Sequence, residues 1–124
     1  MCIRDRDSTA YNLVIEIEGE IAGGVGLFDV NEVGGELGFW IASKFWKRGI
    51  ATEASKTILY FGFRQLELKT IKASFKEGNE ASNKVLKKLG FISVGQKLED
   101  DEILKQKVMM HFLEIKSSDY SFNN

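Results

Sequence analysis

The sequence predicts an α/β domain with a mixed sheet, and three observations carry that prediction. Apolar and polar residues alternate with period two over residues 11–18. The period changes to that of a helix after Gly49, and does so again after Asn79. Short apolar segments of strand character stand before, between and after the two helical stretches. The order is therefore β-β-β-α-β-α-β-β, with helices packed on the sheet.

Each element has its own reason. In residues 11–18, Leu13, Ile15 and Ile17 share one face, and Val14, Glu16 and Glu18 share the other, as in a half-buried strand. Glu18-Gly19-Glu20 is a tight turn, which makes residues 21–30 the return arm of a hairpin. That arm is rich in small residues at Gly23, Gly24 and Gly26. Residues 31–35 form a Gly-rich loop, and residues 36–42 a third strand. From Gly49 the apolar stripe Ile50, Ala54, Thr57/Ile58, Phe61 and Leu66 follows helical spacing for about four turns. Phe61, Phe63 and Leu66 read as core. Residues 70–76 are a short strand. Asn79 caps a second helix, whose buried stripe is expected at Ala81, Val85, Leu86 and Leu89. Gly90 ends it in the left-handed conformation, with Phe91 folding back on Leu86. Residues 91–98 and 105–115 form a second hairpin around the acidic turn 99–102. His111, in its return arm, reads as packed or exposed rather than catalytic.

Composition excludes several classes. The 124 residues, 44% hydrophobic and 28% charged, suit one globular domain. Seventeen Lys and Arg balance eighteen Asp and Glu, so bulk charge favours neither nucleic acid nor an anionic membrane. One Cys and one His cannot supply a disulfide scaffold or a four-ligand zinc site. No apolar run reaches the roughly 20 residues of a spanning helix, and no signal peptide opens the chain; the expected location is the cytoplasm. Residues 1–8 lack either periodicity and resemble read-through of an adapter, so residues 1–10 are expected to be a non-native or disordered lead. The domain is expected over residues 11–116, followed by a frayed tail over 117–124.

The chain has no Pro and twelve Gly, so its breaks fall to Gly, Asn, Asp and Ser. One Gly stands at an informative junction. In Lys44-Phe45-Trp46-Lys47-Arg48-Gly49-Ile50-Ala51-Thr52, a strand ends and a helix begins on bare backbone. Unpaired N–H groups and a partial positive charge at a helix start suit a phosphate group, and Lys44, Lys47 and Arg48 add cations. The plain alternative is a corner Gly beside a solvated basic face. No P-loop is present. Gly24-Val25-Gly26 begins a dinucleotide fingerprint, but Asp29 fills its last position and no helix follows.

Residues 36–54, Glu-Leu-Gly-Phe-Trp-Ile-Ala-(x)4-Lys-Arg-Gly-Ile-Ala-Thr-Glu-Ala, resemble the acetyl-CoA-binding motif of the GNAT acetyltransferase superfamily, nearest its RimJ/RimL-like branch. Residues 79–91 are similar to that branch's Asn-x-x-Ser…Lys-x-Gly-Phe segment. The resemblance covers roughly residues 11–115. It implies a GNAT-like fold that lacks its first strand and two helices, which would leave apolar sheet surface exposed and favour oligomers such as a homodimer. It implies acetyl-CoA as cofactor, with Lys47, Arg48, Gly49, Ile50, Ala51 and Thr52 around its phosphates. Phe39, Trp40 and Ile41 would meet the pantetheine arm through backbone groups, and Asn79 through its side chain. Lys47 stands where the family often has Gly, and Ser43 where it often has Pro.

The implied reaction is direct transfer of an acetyl group to a primary amine, either a protein N-terminus or a small molecule. A base must deprotonate the ammonium, donors must hold the oxyanion, and the leaving thiolate needs stabilising. Glu36 is the candidate base, directly or through a water; its alternative is a carboxylate at a solvated strand end. Ser82 is the candidate at the sulfur; its alternative is a hydroxyl bonded to the Asn79 cap. Backbone N–H groups near Trp40 and Ile41 are the candidate oxyanion donors. A different class of function, an acyl-CoA-binding module without turnover, fits the same two motifs.

Overall fold

The computed structural model describes residues 2–4, through their backbone alone, and residues 10–120. The strands are β1 (Cys2–Arg4), β2 (Tyr11–Ile17), β3 (Glu20–Phe28), β4 (Gly34–Ile41), β5 (Thr70–Lys76), β6 (Ile92–Asp101) and β7 (Gln106–Lys116). The helices are α1 (Ile50–Tyr60) and α2 (Glu80–Leu89). One sheet holds all these strands in the order β1-β2-β3-β4-β5-β7-β6. Every neighbouring pair is antiparallel except β4 and β5.

The predicted order and mixed sheet are present, with β1 in addition. Cys2–Arg4 pairs with residues 11–13 of β2, so part of the expected lead belongs to the sheet. A three-residue edge pairing needs only backbone groups, which is why no side-chain period announces it. The tail also differs. Ser117–Asp119 forms a 3₁₀ turn, the Tyr120 ring packs tilted against Phe63 with ring centres 5.2 Å apart, and its hydroxyl donates to the Lys56 carbonyl at 3.3 Å. Burial raises the Tyr120 pKa above its ordinary value. Residues 121–124 of the expected tail lie outside the described residues.

The core lies between one face of the sheet and the helices. Leu27, Ile71 and Leu113 from the sheet meet Ile58 and Leu59 of α1, with Leu86 and Phe91 from the second helical region. α1 is rotated from the predicted stripe: Thr52, Ser55, Ile58 and Leu59 are its buried residues. The small Ser55 and Gly62 let the helix approach closely. A Cβ at Gly62 would come within 2.9 Å of the Leu27 side chain and 3.0 Å of Ile71. At Phe61–Gln65 the helix widens into a π turn, closed by the Leu66 N–H on the Phe61 carbonyl at 3.1 Å, which shifts the stripe. Phe63 is buried, while Phe61 and Leu66 pack at the margin. In α2, Leu86 and Leu89 are buried, Val85 is half-buried, and Ala81 is exposed rather than core.

The other face of the sheet carries no helix among the described residues. Val14, Ile21, Phe28 and Trp40 are exposed there. Phe28 lies over Gly38 and Trp40 over Gly24, where a Cβ would be within 3 Å of each ring. This close cover explains Gly24 of β3 and Gly38 of β4, while at Gly23 and Gly26 a Cβ would meet neighbouring strands, Trp40 and Ile41 at the first and Tyr11 and Asn12 at the second. The second hairpin also departs from expectation. β6 runs on to Asp101, so three members of the acidic run lie in a strand. Asp101 holds the turn, accepting from the N–H groups of Ile103 and Leu104 at 3.0 Å each, and pairs with Lys76 at 2.7 Å. His111 stacks on Phe75, with ring centres 5.0 Å apart, and its Nε2 lies 3.4 Å from Glu77. No helix is long and apolar enough to cross a membrane among the described residues.

Two outcomes follow from this packing. Leu59→Ala, at a fully buried position, is expected to lower unfolding stability in urea by about 2–5 kcal/mol. The Lys76 ammonium and the turn N–H groups hold the Asp101 carboxyl below its ordinary value of 3.8. Its contribution is therefore present above that value and lost as pH falls through the lowered one. The stability gap between the wild type and Asp101→Asn should be full at pH 6 and narrow as pH falls below 3.8, which urea midpoints across an acid pH series would show.

Candidate functional site

The site begins where β4 and β5 part. They pair only from Gly34↔Thr70 to Glu36↔Lys72. Beyond that, β4 stays with β3 as far as Ile41↔Gly23, and β5 stays with β7 along its length. The Val33 carbonyl accepts from Lys69 on the β5 side, and the Ala42 N–H donates to Ala22 on the β3 side. By strand alternation, Phe39 and Ile41 turn their backbone groups into the gap, while Trp40 turns its own to Gly24. The expected oxyanion donor at Trp40 is therefore committed to β3, and the N–H groups at the gap are those of Phe39 and Ile41.

A cleft of about 520 Å³ opens at this gap. Phe39, Trp40 and Ile41 form one wall, the start of α1 the floor, and Asn79, Ser82 and Val85 of the α2 region the far wall. Lys47, Arg48, Gly49, Ile50, Ala51 and Thr52 all line it. Of the predicted site residues, the fold brings every one together here except Glu36.

The floor is shaped for an anion. Gly49 caps α1 with φ 74°, in the left-handed region, and no side chain caps the helix. A Cβ there would meet nothing within 4 Å, so the space before the helix is open. The first helical bond runs from the Glu53 N–H to the Gly49 carbonyl at 3.1 Å. The N–H groups of Ile50, Ala51 and Thr52 precede it, outside the helical ladder. Lys47 also has a left-handed φ, 64°, a conformation that favours Gly.

The basic loop is held in an order the sequence did not reveal. Phe45 is buried, and the Lys44 ammonium and Arg48 guanidinium sit 5.7 and 5.5 Å from its ring centre. An apolar residue inside a basic loop was the available signal. Lys44 is paired with Glu20 at 2.6 Å, which removes it from the expected trio of phosphate cations. Trp46 was missed too. Its indole N–H donates to the Ile41 carbonyl at 2.7 Å, tying the loop to the end of β4.

At the far wall, Asn79 caps α2, its Oδ1 accepting from the Ser82 N–H at 3.2 Å. The cap uses the backbone of Ser82, not its hydroxyl. Glu36 lies elsewhere. It lines a separate cavity of about 230 Å³ with Asp29, Thr70 and Lys72, and the Ser74 hydroxyl donates to its Oε1 at 3.5 Å. Alternation along β4 turns it to the face opposite the buried Leu37. The structure thus does not bring Glu36 and Ser82 into one cavity.

Comparison with known proteins agrees with this architecture. The family model described as an acetyltransferase (GNAT) domain matches residues 2–92. The chain is 32% identical over 81 residues to YdaF of Bacillus subtilis, a protein named as a ribosomal N-acetyltransferase, covering 64% of this chain and 44% of that one. It is 32% identical over 92 residues to the spermidine N(1)-acetyltransferase of Escherichia coli K12, covering 73% of this chain and 50% of that one. It therefore spans about half the length of these relatives. The crystal structure of a ribosomal-protein-S5-alanine acetyltransferase from Vibrio fischeri superposes with a TM-score of 0.85 at 23% identity, covering 94% of this chain and 66% of that one.

The indole tie is directly testable. Trp46→Phe keeps the ring and removes the donor, and is expected to lower unfolding stability by about 1 kcal/mol in urea titration.

Proposed function

The chain belongs to the GNAT acetyltransferase family, and we propose that its cleft binds acetyl-CoA and transfers the acetyl group directly to a primary amine. The observation that carries this reading is the gap itself. The Phe39 backbone groups and the Ile41 N–H have no strand partner, the Ile41 carbonyl being taken by the Trp46 indole, and they lie beside a helix start that is bare and open. An extended amide-bearing arm can take the place of the absent strand, while a pyrophosphate takes the N–H groups at Ile50, Ala51 and Thr52. Coenzyme A joins those two features in one molecule, and its thioester supplies an activated acyl group.

The residues then divide the work. Gly49 keeps the approach to the helix start free of a side chain, and Lys47 and Arg48 add positive charge beside it. The N–H groups of Phe39 and Ile41 face the gap, where a carbonyl oxygen would gain charge during attack. Ser82, on the opposite wall, is the group proposed to donate to the departing sulfur. Asn79 holds the start of α2, which positions Ser82, and stands at the cleft for the pantetheine arm. Glu36 is the proposed base, acting through water. It sits on the helix-free face at the last paired position before the strands separate, so the gap joins its side of the sheet to the cleft. An ammonium arriving from that side would meet a carboxylate before the thioester.

The acceptor is a primary amine on a protein N-terminus or a small molecule, in line with relatives named for ribosomal protein and for spermidine. The RimJ/RimL-like motif pair favours the protein acceptor, and the expected setting is the cytoplasm.

Turnover is checked by free-thiol release from acetyl-CoA over a panel of peptides and polyamines. Release dependent on the amine is expected; coenzyme A binding without release would leave a binding module instead. At a coenzyme A concentration of 100 times Kd the fold should gain about 2.7 kcal/mol, read as a thermal shift. Gly49→Glu should abolish that shift, and an unchanged shift would misplace the phosphate cradle.

A further inference from the structure

β6 ends the sheet, and among the described residues no strand pairs with its outer edge. It is ten residues long, and residues 92–100 are exposed throughout. A long free edge is a template for another strand, and proteins ordinarily blunt it. Here Ile92, Val94 and Leu98 stand on it with more than half their surface exposed, at 57%, 53% and 51%.

The direction of its backbone groups follows from the ladder. The Met109 carbonyl accepts from the Glu77 N–H at 2.8 Å, on the β5 side of β7. Met109 stands opposite Leu98. Leu98 is therefore a non-hydrogen-bonded position of the β6–β7 pair, and its N–H and C=O point outward. Alternation adds Gln96 and Asp100 to the outward set.

We propose that this edge pairs antiparallel with the same edge of a second copy of the chain, centred on Leu98, so that the sheet continues across a two-fold axis. In that register Leu98 faces Leu98 of the partner subunit, and Lys97 faces Glu99 of the partner subunit. Two-fold symmetry repeats the second pair, as an isologous interface requires. Charge selects this centre. A centre at Lys97 would oppose two lysines, one at Glu99 two glutamates, and one at Asp100 two aspartates, with Glu99 against Asp101 of the partner subunit. A centre at Gln96 would run Lys97 onto the strand irregularity between Ser93 and Gly95. Opposite charges directly across a strand pair stabilise it, and like charges do the reverse. Neither Lys97 nor Glu99 forms an ion pair within the chain among the described residues, so both are available. No residue of β6 lines the cleft, and the pairing stands apart from the acetyl-transfer reading.

Sedimentation velocity on the full chain across a concentration series tests this. A monomer–dimer equilibrium is expected. Lys97→Glu and Glu99→Lys should each weaken it by about tenfold or more, since symmetry counts each change twice. The double variant K97E/E99K should restore it. Leu98→Pro removes an outward donor that β7 does not use and should abolish the dimer, with circular dichroism reporting that the monomer is still folded. A monomer at every concentration overturns the proposal. So does a dimer indifferent to both single charge reversals, or one that the double variant fails to recover.

Discussion

The separation of β4 from β5 after three paired residues is the constraint on which the rest depends. A sheet interior ordinarily satisfies every backbone group by pairing. Here β4 follows β3 and β5 follows β7, and the twist of the sheet carries the two halves apart. The backbone groups of Phe39 and the N–H of Ile41 are left beside a space that α1 and α2 border but do not fill. Both helices direct their N-terminal residues to this space, so the donors of Ile50, Ala51 and Thr52 and the cap of α2 converge on it.

The surrounding structure holds that opening in shape. Phe45 is sunk into the protein and gathers two cations on its ring. The Trp46 indole takes the Ile41 carbonyl, which ties the loop between β4 and α1 back to the end of β4. Ser55 and Gly62 bring α1 close to the sheet, where Ile58 and Leu59 are buried. Rigid packing on one side of α1 is what allows its bare end to stay open to solvent on the other. The helix-free face and the β6 edge are by contrast lightly covered, and both carry exposed apolar side chains.

Much of this was legible in the sequence because it rests on local chemistry. The Glu18-Gly19 turn, the Asn79 cap and the Gly90 stop are each set by a few adjacent residues. Phe91 closes its N–H on the Leu86 carbonyl as the spacing implied. The motif over residues 36–54 placed the wall and floor of the cleft for the same reason, since strand, loop and helix start are contiguous. The misses involve partners distant in sequence. Lys44 looked available until Glu20, across the first hairpin, claimed it. Trp40 looked like an oxyanion donor until the β3 register turned its backbone away. The π turn at Phe61–Gln65 rotated a stripe that ideal helical spacing had drawn straight, and residues 2–4 of the expected lead and 117–120 of the expected tail make contacts that carry no periodic signature.

The sequence by itself determined the class of fold, the element order from Tyr11 onward and the position of the bare helix start, because period, turn chemistry and capping act over a few residues. Only the tertiary structure decided which groups share a cavity. It joined Phe39 and Ile41 to Gly49, Asn79 and Ser82, and it put Glu36 on the other face. Those relations depend on sheet register and on where two strands stop pairing, and both are fixed by contacts between segments tens of residues apart.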